Sequence, residues 1–449
     1  MKWRLQRGSD TVRSLLRTHF RPLEPEALVV ATRIFPSTAR VDLQRCLDKL
    51  STTSAEPMRL VGVHSQYNHE TLTFAHCSVV GGYAPTVGPI QYDELEVGEA
   101  TPARVLKTGL WLCRDEHRPY AILLSQNSQY GQTNGVCLSI AVGPGAEGVE
   151  SSSRFLNRLE QAVAAAGSYR GKVLSLEASH NYSGKSSGIK VHRLSPVARE
   201  DVILPLKTLE LLERNVTEFV RQREQLRRLR MPLKKGLLFY GPPGTGKTHT
   251  IRYLASQMAD HTTLLITADQ VALLDEYVQL ARFLQPALVV IEDADLIARS
   301  REDMRGPCEE SLLNRLLNEM DGLREDATIL FILTTNAPET LESALAGRPG
   351  RIDQAIEFPL PDEVGRAKLM RLYARDLEVD EQVAELIVRK TKGASAAFIK
   401  ELMRRSAQYL LEENKNKSLQ LNHVESALDE MLFSGGSLNV KLLGGAIGG

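Results

Sequence analysis

The spacing of apolar and polar positions divides the chain into three stretches. Residues 1 to about 180 mix two periodicities. Helical spacing appears at 10–19, 42–50 and 152–165, and short apolar runs at 60–63, 72–80, 120–124 and 136–142 predict strands. Helices interleaved with strands imply an α/β or α+β unit with its own core. Residues 236–360 then alternate regularly: strands are expected at 236–240, 263–266, 287–291 and 328–333, with helices between them. This is the rhythm of a parallel sheet wrapped by helices. After Pro359-Leu360-Pro361 only helical periodicity remains, at 363–377, 380–390, 394–414 and 422–432. Residues 181–188 are small and polar and read as a linker or exposed loop. The final stretch, 434–449, holds six glycines and reads as a flexible tail.

Composition narrows the function classes. The chain has 449 residues, 43% of them hydrophobic and 24% charged, as expected of a globular protein with sizeable cores. Fifty-five basic residues balance 55 acidic ones, so the whole chain carries no electrostatic footprint for nucleic acid or an anionic membrane. A local exception is 221–235, with seven Lys/Arg and one acid, Glu224. It reads as a phosphate or nucleic-acid contact, a solvated helix face or a subunit interface. No apolar run is long enough to span a bilayer, and the basic N-terminus leads into no apolar segment. Five scattered cysteines without a C-x-x-C pair argue against a disulfide framework and against a zinc site. A cytoplasmic location is expected.

The chemistry concentrates in Gly241-Pro242-Pro243-Gly244-Thr245-Gly246-Lys247-Thr248, which fits the phosphate-binding pattern G-x-x-x-x-G-K-[ST]. Glycines let the backbone curl so that its N–H groups face phosphate oxygens. Lys247 supplies a cation for the β- and γ-phosphates, and Thr248 a hydroxyl for Mg²⁺. A strand enters the loop and a helix leaves it, aiming its positive end at the anion. His249 follows on that helix and counts with 241–248 among the candidate cofactor-binding residues, with packing or surface exposure, rather than catalysis, as its ordinary role.

The region from about Asp201 to Leu432 resembles the AAA family of ATPases. Gly241–Thr248 is similar to its Walker A. Ala287-Leu-Val-Val-Ile291-Glu292-Asp293 resembles Walker B, and Thr334-Thr335-Asn336 resembles sensor 1. Arg348-Pro349-Gly350-Arg351 followed by Ile352-Asp353 resembles the arginine-finger segment. Leu312 to Gly322 resembles the helix between Walker B and sensor 1. Several motifs in the family's order are more specific than any one.

The resemblance implies an ATP hydrolase using Mg²⁺, with a P-loop sheet at 196–361, a helical lid at 362–433 and a recognition unit plus linker at 1–195. Glu292 takes the metal-anchoring position and Asp293 the water-activating one, both holding the ion partly through water. Asn336 would hold the attacking water. Arg348 and Arg351 would reach a neighbour's ATP, which implies a ring, most often a hexamer. Asp201-Val-Ile-Leu204 falls where the family's chain wraps adenine.

Four departures stand out. Walker B ends Glu-Asp rather than Asp-Glu. The aromatic-apolar-glycine pore triplet is missing, since Tyr277-Val278-Gln279 has no glycine and Tyr277 suits a helix core. Ser343 stands where the family usually has aspartate. The lid reads Gly393-Ala394-Ser395-Ala396-Ala397-Phe398, with no arginine at the sensor-2 place. Three functions stay open: a protein-remodelling, chaperone-like ATPase whose N-terminal unit binds a client; a nucleotide-gated assembly switch with slow hydrolysis; and a nucleic-acid-linked ATPase using 221–235.

Overall fold

The computed structural model describes residues 11–434 apart from 55, 67–69, 82, 116, 130–131, 166, 178–187, 300–311, 346–350 and 414–416. Arg348, most of the expected linker and the tail from 435 lie outside the described residues. The chain forms two compact units, 1–168 and 169–449.

The first unit contains α1 (Val12–His19), β1 (Val29–Phe35), α2 (Arg40–Thr53), β2 (Arg59–His64), α3 (Phe74–Cys77), β3 (Thr86–Gly88), β4 (Gln91–Leu95), β5 (Ala103–Asp115), β6 (Arg118–Gln129), β7 (Gln132–Val142) and α4 (Ala146–Ala165). Its antiparallel sheet has the order β1-β7-β6-β5-β2-β3, with β4 also pairing β5. Val12, Leu16 and Phe20 pack with Phe74 and Cys77 on Leu110, Leu112, Ala121, Leu123 and Ala141 of the sheet. Helices α2 and α4 pack together, α2 against β5 and α4 against β1 and β7.

The strand expected at 72–80 is instead the short helix α3. Only Phe74 and Cys77 of that helix are buried, a helical spacing. Thr73 and His76 cap it reciprocally: the His76 ring accepts the Thr73 backbone N–H at 3.2 Å.

The second unit contains β8 (Val173–Leu176), β9 (Ile189–His192), α5 (Leu206–Leu212), α6 (Phe219–Arg221), α7 (Arg223–Arg228), β10 (Lys235–Tyr240), α8 (Lys247–Gln257), β11 (Thr262–Ile266), α9 (Leu274–Phe283), β12 (Ala287–Ile291), α10 (Ala294–Arg299), α11 (Leu312–Asp321), β13 (Ile329–Thr335), α12 (Pro338–Leu345) and β14 (Gln354–Glu357). A lid follows: α13 (Glu363–Ala374), β15 (Glu378–Val379), α14 (Glu381–Lys390), α15 (Ala396–Glu412), β16 (Ser418–Leu419) and α16 (Leu421–Asp429).

The main sheet has the order β14-β10-β13-β12-β11-β8-β9, parallel except for β9. All five residues of β12 are buried, as a strand covered on both faces requires. Leu212, Val216, Ile251 and Leu254 pack on Leu237, Phe239, Leu288, Val290, Leu330 and Ile332 of the sheet. Burying each such side chain stabilises the fold by roughly 1.5–3 kcal/mol. In the lid, Asp362, Asp380 and Ser395 cap α13, α14 and α15 by accepting the N–H groups of Gly365 (2.7 Å), Val383 (2.8 Å) and Phe398 (3.2 Å).

The boundary expected at 195 does not follow this architecture. Strands β8 and β9 precede it, yet β8 pairs with β11, and Leu174 is fully buried. Tyr277 explains how the addition is held. It lies buried in α9, and its hydroxyl accepts the Leu176 N–H at 2.7 Å and donates to Gln270 Oε1 at 3.1 Å. Gln270 Nε2 returns a bond to the Leu176 carbonyl at 3.0 Å.

The basic stretch 221–235 is largely engaged within the unit. Arg223 is buried, 2.7 Å from His261 Nε2. Lys234 donates to the Met320 and Leu323 carbonyls, and Lys235 to Asn215 Oδ1 at 2.8 Å. Arg221 pairs with Glu218 and Arg227 with Glu224.

Replacing Tyr277 by Phe removes the hydroxyl and leaves the Leu176 N–H without that acceptor. The expected loss is about 1–3 kcal/mol, read as a lower denaturant midpoint at unchanged slope. An unchanged midpoint would show that this hydroxyl does not hold the hairpin.

Candidate functional site

The carboxyl ends of β10, β12 and β13 bring the 241–248 loop, Glu292, Asp293 and Asn336 to one place, as open parallel sheets do for ligands. After β10 the loop turns through three left-handed glycines, Gly241 (φ 141°), Gly244 (φ 76°) and Gly246 (φ 100°). A Cβ on Gly241 would sit 2.3 Å from the Phe358 carbonyl oxygen, and one on Gly244 2.8 Å from Ala397 Cβ. The loop is therefore built on glycine and closed on one side by the lid. Ala397 N–H, in the first turn of α15, donates to the Gly244 carbonyl at 3.1 Å. Pro242, just before Pro243, presents its carbonyl to Thr245 Oγ1 at 2.9 Å.

Lys247 begins α8 and is buried. Its ammonium donates to Gly241 O at 2.6 Å, Pro242 O at 3.0 Å and Asn336 Oδ1 at 2.8 Å. Burial pushes its pKa down to about 8, against the opposing pull of Asp293 and Asp295. Asn336 uses the other end of its amide: Nδ2 donates to Asp293 Oδ1 at 3.1 Å. The ammonium on one side and the carboxylate on the other fix which way that amide points. Thr248 Oγ1 donates to Glu292 Oε1 at 2.7 Å. The two acids after β12 thus part company, Glu292 toward the phosphate-loop helix and Asp293 toward Asn336.

Asp293 has a left-handed backbone (φ 52°), an unfavourable conformation for a side chain with a Cβ. Its N–H is held by Thr334 Oγ1 at 3.0 Å. His249 Nε2 donates to the Asp201 carbonyl at 3.2 Å, tying the helix to the segment expected to wrap a base. Arg351 is held elsewhere, on α11, by Asn318 Oδ1 (3.1 Å) and Asp321 Oδ2 (2.5 Å), and its buried Nη1 has no partner among the described residues.

One residue of the cluster escaped the motif reading. Asp295, buried in the first turn of α10, accepts Thr335 Oγ1 at 2.9 Å and the Asn336 N–H at 3.3 Å. Its only sequence signal is an acid two positions beyond Asp293.

The donor set fits a nucleoside triphosphate with Mg²⁺. It combines a buried ammonium, a glycine-rich turn at a helix start, and two hard oxygen donors, Thr248 and Glu292, in hydrogen-bonding contact. This fold and site define a P-loop nucleoside triphosphatase. Residues 237–360 match the family described as "ATPase family associated with various cellular activities (AAA)". The chain therefore carries an AAA ATPase domain.

Among curated relatives, the proteasome-activating nucleotidase of Saccharolobus solfataricus is 31% identical over 265 residues, 52% of this chain and 66% of that protein. The 26S proteasome regulatory subunit 8 homolog of Schizosaccharomyces pombe is 32% identical over 261 residues, 54% of this chain and 60% of its own. The ATP-dependent zinc metalloprotease FtsH of Ureaplasma parvum is 28% identical over 235 residues, 50% of this chain and 32% of its own. The chain thus spans from about a third to about two thirds of these relatives' lengths.

A phosphate needs Lys247 as the ammonium. Because burial lowers its pKa to about 8, ATP affinity should be full below that pH and fall as pH rises through it. The fall approaches about tenfold per pH unit once the neutral amine predominates. A fluorescent ATP analogue titrated from neutral to alkaline pH checks this, and affinity constant to about pH 10 would contradict it. Lys247→Arg, which stays charged, should remove the pH dependence whatever it does to affinity.

Proposed function

We propose that this protein is a Mg²⁺-dependent ATP hydrolase that assembles into a ring, most simply a hexamer, and remodels a protein client recognised by its N-terminal unit. The observation that carries the reading is the chain of contacts Lys247–Asn336–Asp293 beside the pair Thr248–Glu292. Phosphoryl transfer to water needs positioning and charge stabilisation more than covalent chemistry, and this cluster supplies both.

In this reading the loop amides and Lys247 bind the β- and γ-phosphates, which replace the loop carbonyls as partners of the ammonium. Thr248 and Glu292 would hold Mg²⁺; when bound, the ion neutralises phosphate charge. Asp293 orients the attacking water. Asn336 occupies its Oδ1 by hydrogen bonding, so Oδ2 is the atom that takes the water's proton. The products are ADP and phosphate. The lid contact at Gly244 offers a route by which a change at the phosphates reaches α15. Arg351, and Arg348 with it, would act on the ATP of a neighbouring copy.

Relatives named for proteasomes and for ATP-dependent proteolysis support a protein client. The engagement of Arg223, Lys234 and Lys235 within the unit weighs against a nucleic-acid track. Among the described residues no helix is long and apolar enough to cross a membrane, and we place the activity in the cytoplasm. A second reading, an assembly switch with slow hydrolysis, is favoured by the Glu292-Asp293 order and by the burial of Tyr277.

ATP turnover and solution mass, measured together, separate these readings. The remodelling ATPase requires an ATP-dependent ring whose turnover rises with client. Asp293→Asn should keep the ring and lower turnover by about 10²–10⁴. Arg351→Ala should keep binding and lower turnover by about 10³–10⁵. A ring with negligible native turnover would select the switch. Turnover by Arg351→Ala equal to native would remove that arginine from the mechanism.

A further inference from the structure

Asn336 touches both the ammonium of Lys247 and the carboxylate of Asp293, so its own placement decides the geometry of both. It stands at the first residue past β13, in a turn leading to α12. One carboxylate oxygen on α10 anchors the turn at two points. Asp295 Oδ1 accepts Thr335 Oγ1 at 2.9 Å and the Asn336 N–H at 3.3 Å. Thr335, itself fully buried, accepts the Ala337 N–H on the same Oγ1 at 3.0 Å. One side chain on α10 thereby pins three consecutive residues, 335–337, on the neighbouring strand's exit.

Asp295 is only 4% exposed. Burying a carboxylate is costly unless donors satisfy it, and two of its donors come from the turn that carries Asn336. The backbone anchor and the side-chain contacts lie on the same residue, so a shift of the Asn336 main chain carries its amide away from Asp293 and Lys247. Misplacement by about 1 Å is enough to lower a rate by about a hundredfold.

We propose that Asp295 is a positioning residue for ATP hydrolysis, acting through Thr335 and the Asn336 main chain to aim the Asn336 amide. It rests on the ATPase reading above. It differs from a purely structural role because the loss should fall on the chemical step and should be recovered by any side chain that keeps an acceptor at Oδ1.

The experiment uses the full chain. Asp295→Ala is expected to lower kcat by about 10- to 100-fold with KM for ATP within about threefold of native. Asp295→Asn keeps a carbonyl oxygen and should recover most of that loss. Thr335→Val and Thr335→Ser form a second pair for the case in which Asp295→Ala does not fold: serine keeps the hydroxyl and should recover what valine loses. Amide exchange read by mass spectrometry supplies a measure independent of turnover. In the ligand-free protein the 336 and 337 amides should lose protection in Asp295→Ala and Thr335→Val, but not in Asp295→Asn or Thr335→Ser.

Equal kcat in the alanine, valine and native proteins overturns the proposal. So does a loss expressed in KM alone, or a loss shared equally by the asparagine and serine variants. Absence of turnover in the native chain defeats the ATPase reading instead, and the exchange data then report only whether Asp295 holds the turn.

Discussion

A buried ammonium must be met by oxygen, and the second unit is arranged around meeting that of Lys247. Two of its partners are backbone carbonyls of the loop it belongs to, which the left-handed glycines curl back toward it. The third is Asn336, delivered by a strand that lies beside β10 in the sheet. The curl of the loop, the pairing of β13 with β10 and the placement of Asn336 all serve that one requirement. The same requirement keeps the cation poorly hydrated, so phosphate oxygens can replace carbonyl oxygens at small desolvation cost.

The acids after β12 divide their work by geometry rather than by type. Glu292 meets Thr248, and Asp293 meets Asn336, although the chain lists the two residues side by side. The separation comes from the left-handed turn at Asp293, which sends its side chain away from that of its neighbour. A reversal of acid order in the sequence therefore exchanges side-chain length at two distinct stations. The shorter acid stands at the station facing Asn336, so the proposed water-activating role is the one that its shorter reach would touch.

Much of this was legible beforehand. Walker A is readable because only glycine fits its left-handed positions, and strand β12 because both faces are covered by apolar residues. The lid helices announce themselves by period, and the structure adds the Asp and Ser caps of α13, α14 and α15. Other features were hidden for physical reasons. The 72–80 run is apolar enough for a strand, but a Thr–His cap decides for a helix. Strands β1 and β5 carry charged residues such as Arg33 and Arg114 that mask their pattern. Asp295 belongs to no pattern, because its role depends on donors about forty residues away in sequence. Arg351 is expected as a finger from its motif, and no sequence pattern announces its tether to Asp321 and Asn318.

Strands β8 and β9 make the motif-bearing sheet depend on chain that lies well before its motifs. The family match begins at residue 237, yet the compact unit begins at 169. A recombination joint at 195 would carry every recognisable motif and still strip two strands, leaving β11 as an uncovered edge open to pairing with other chains. A joint at 168/169 would carry the sheet whole. The portion that can be passed intact from one gene to another is therefore longer than the portion that its motifs advertise.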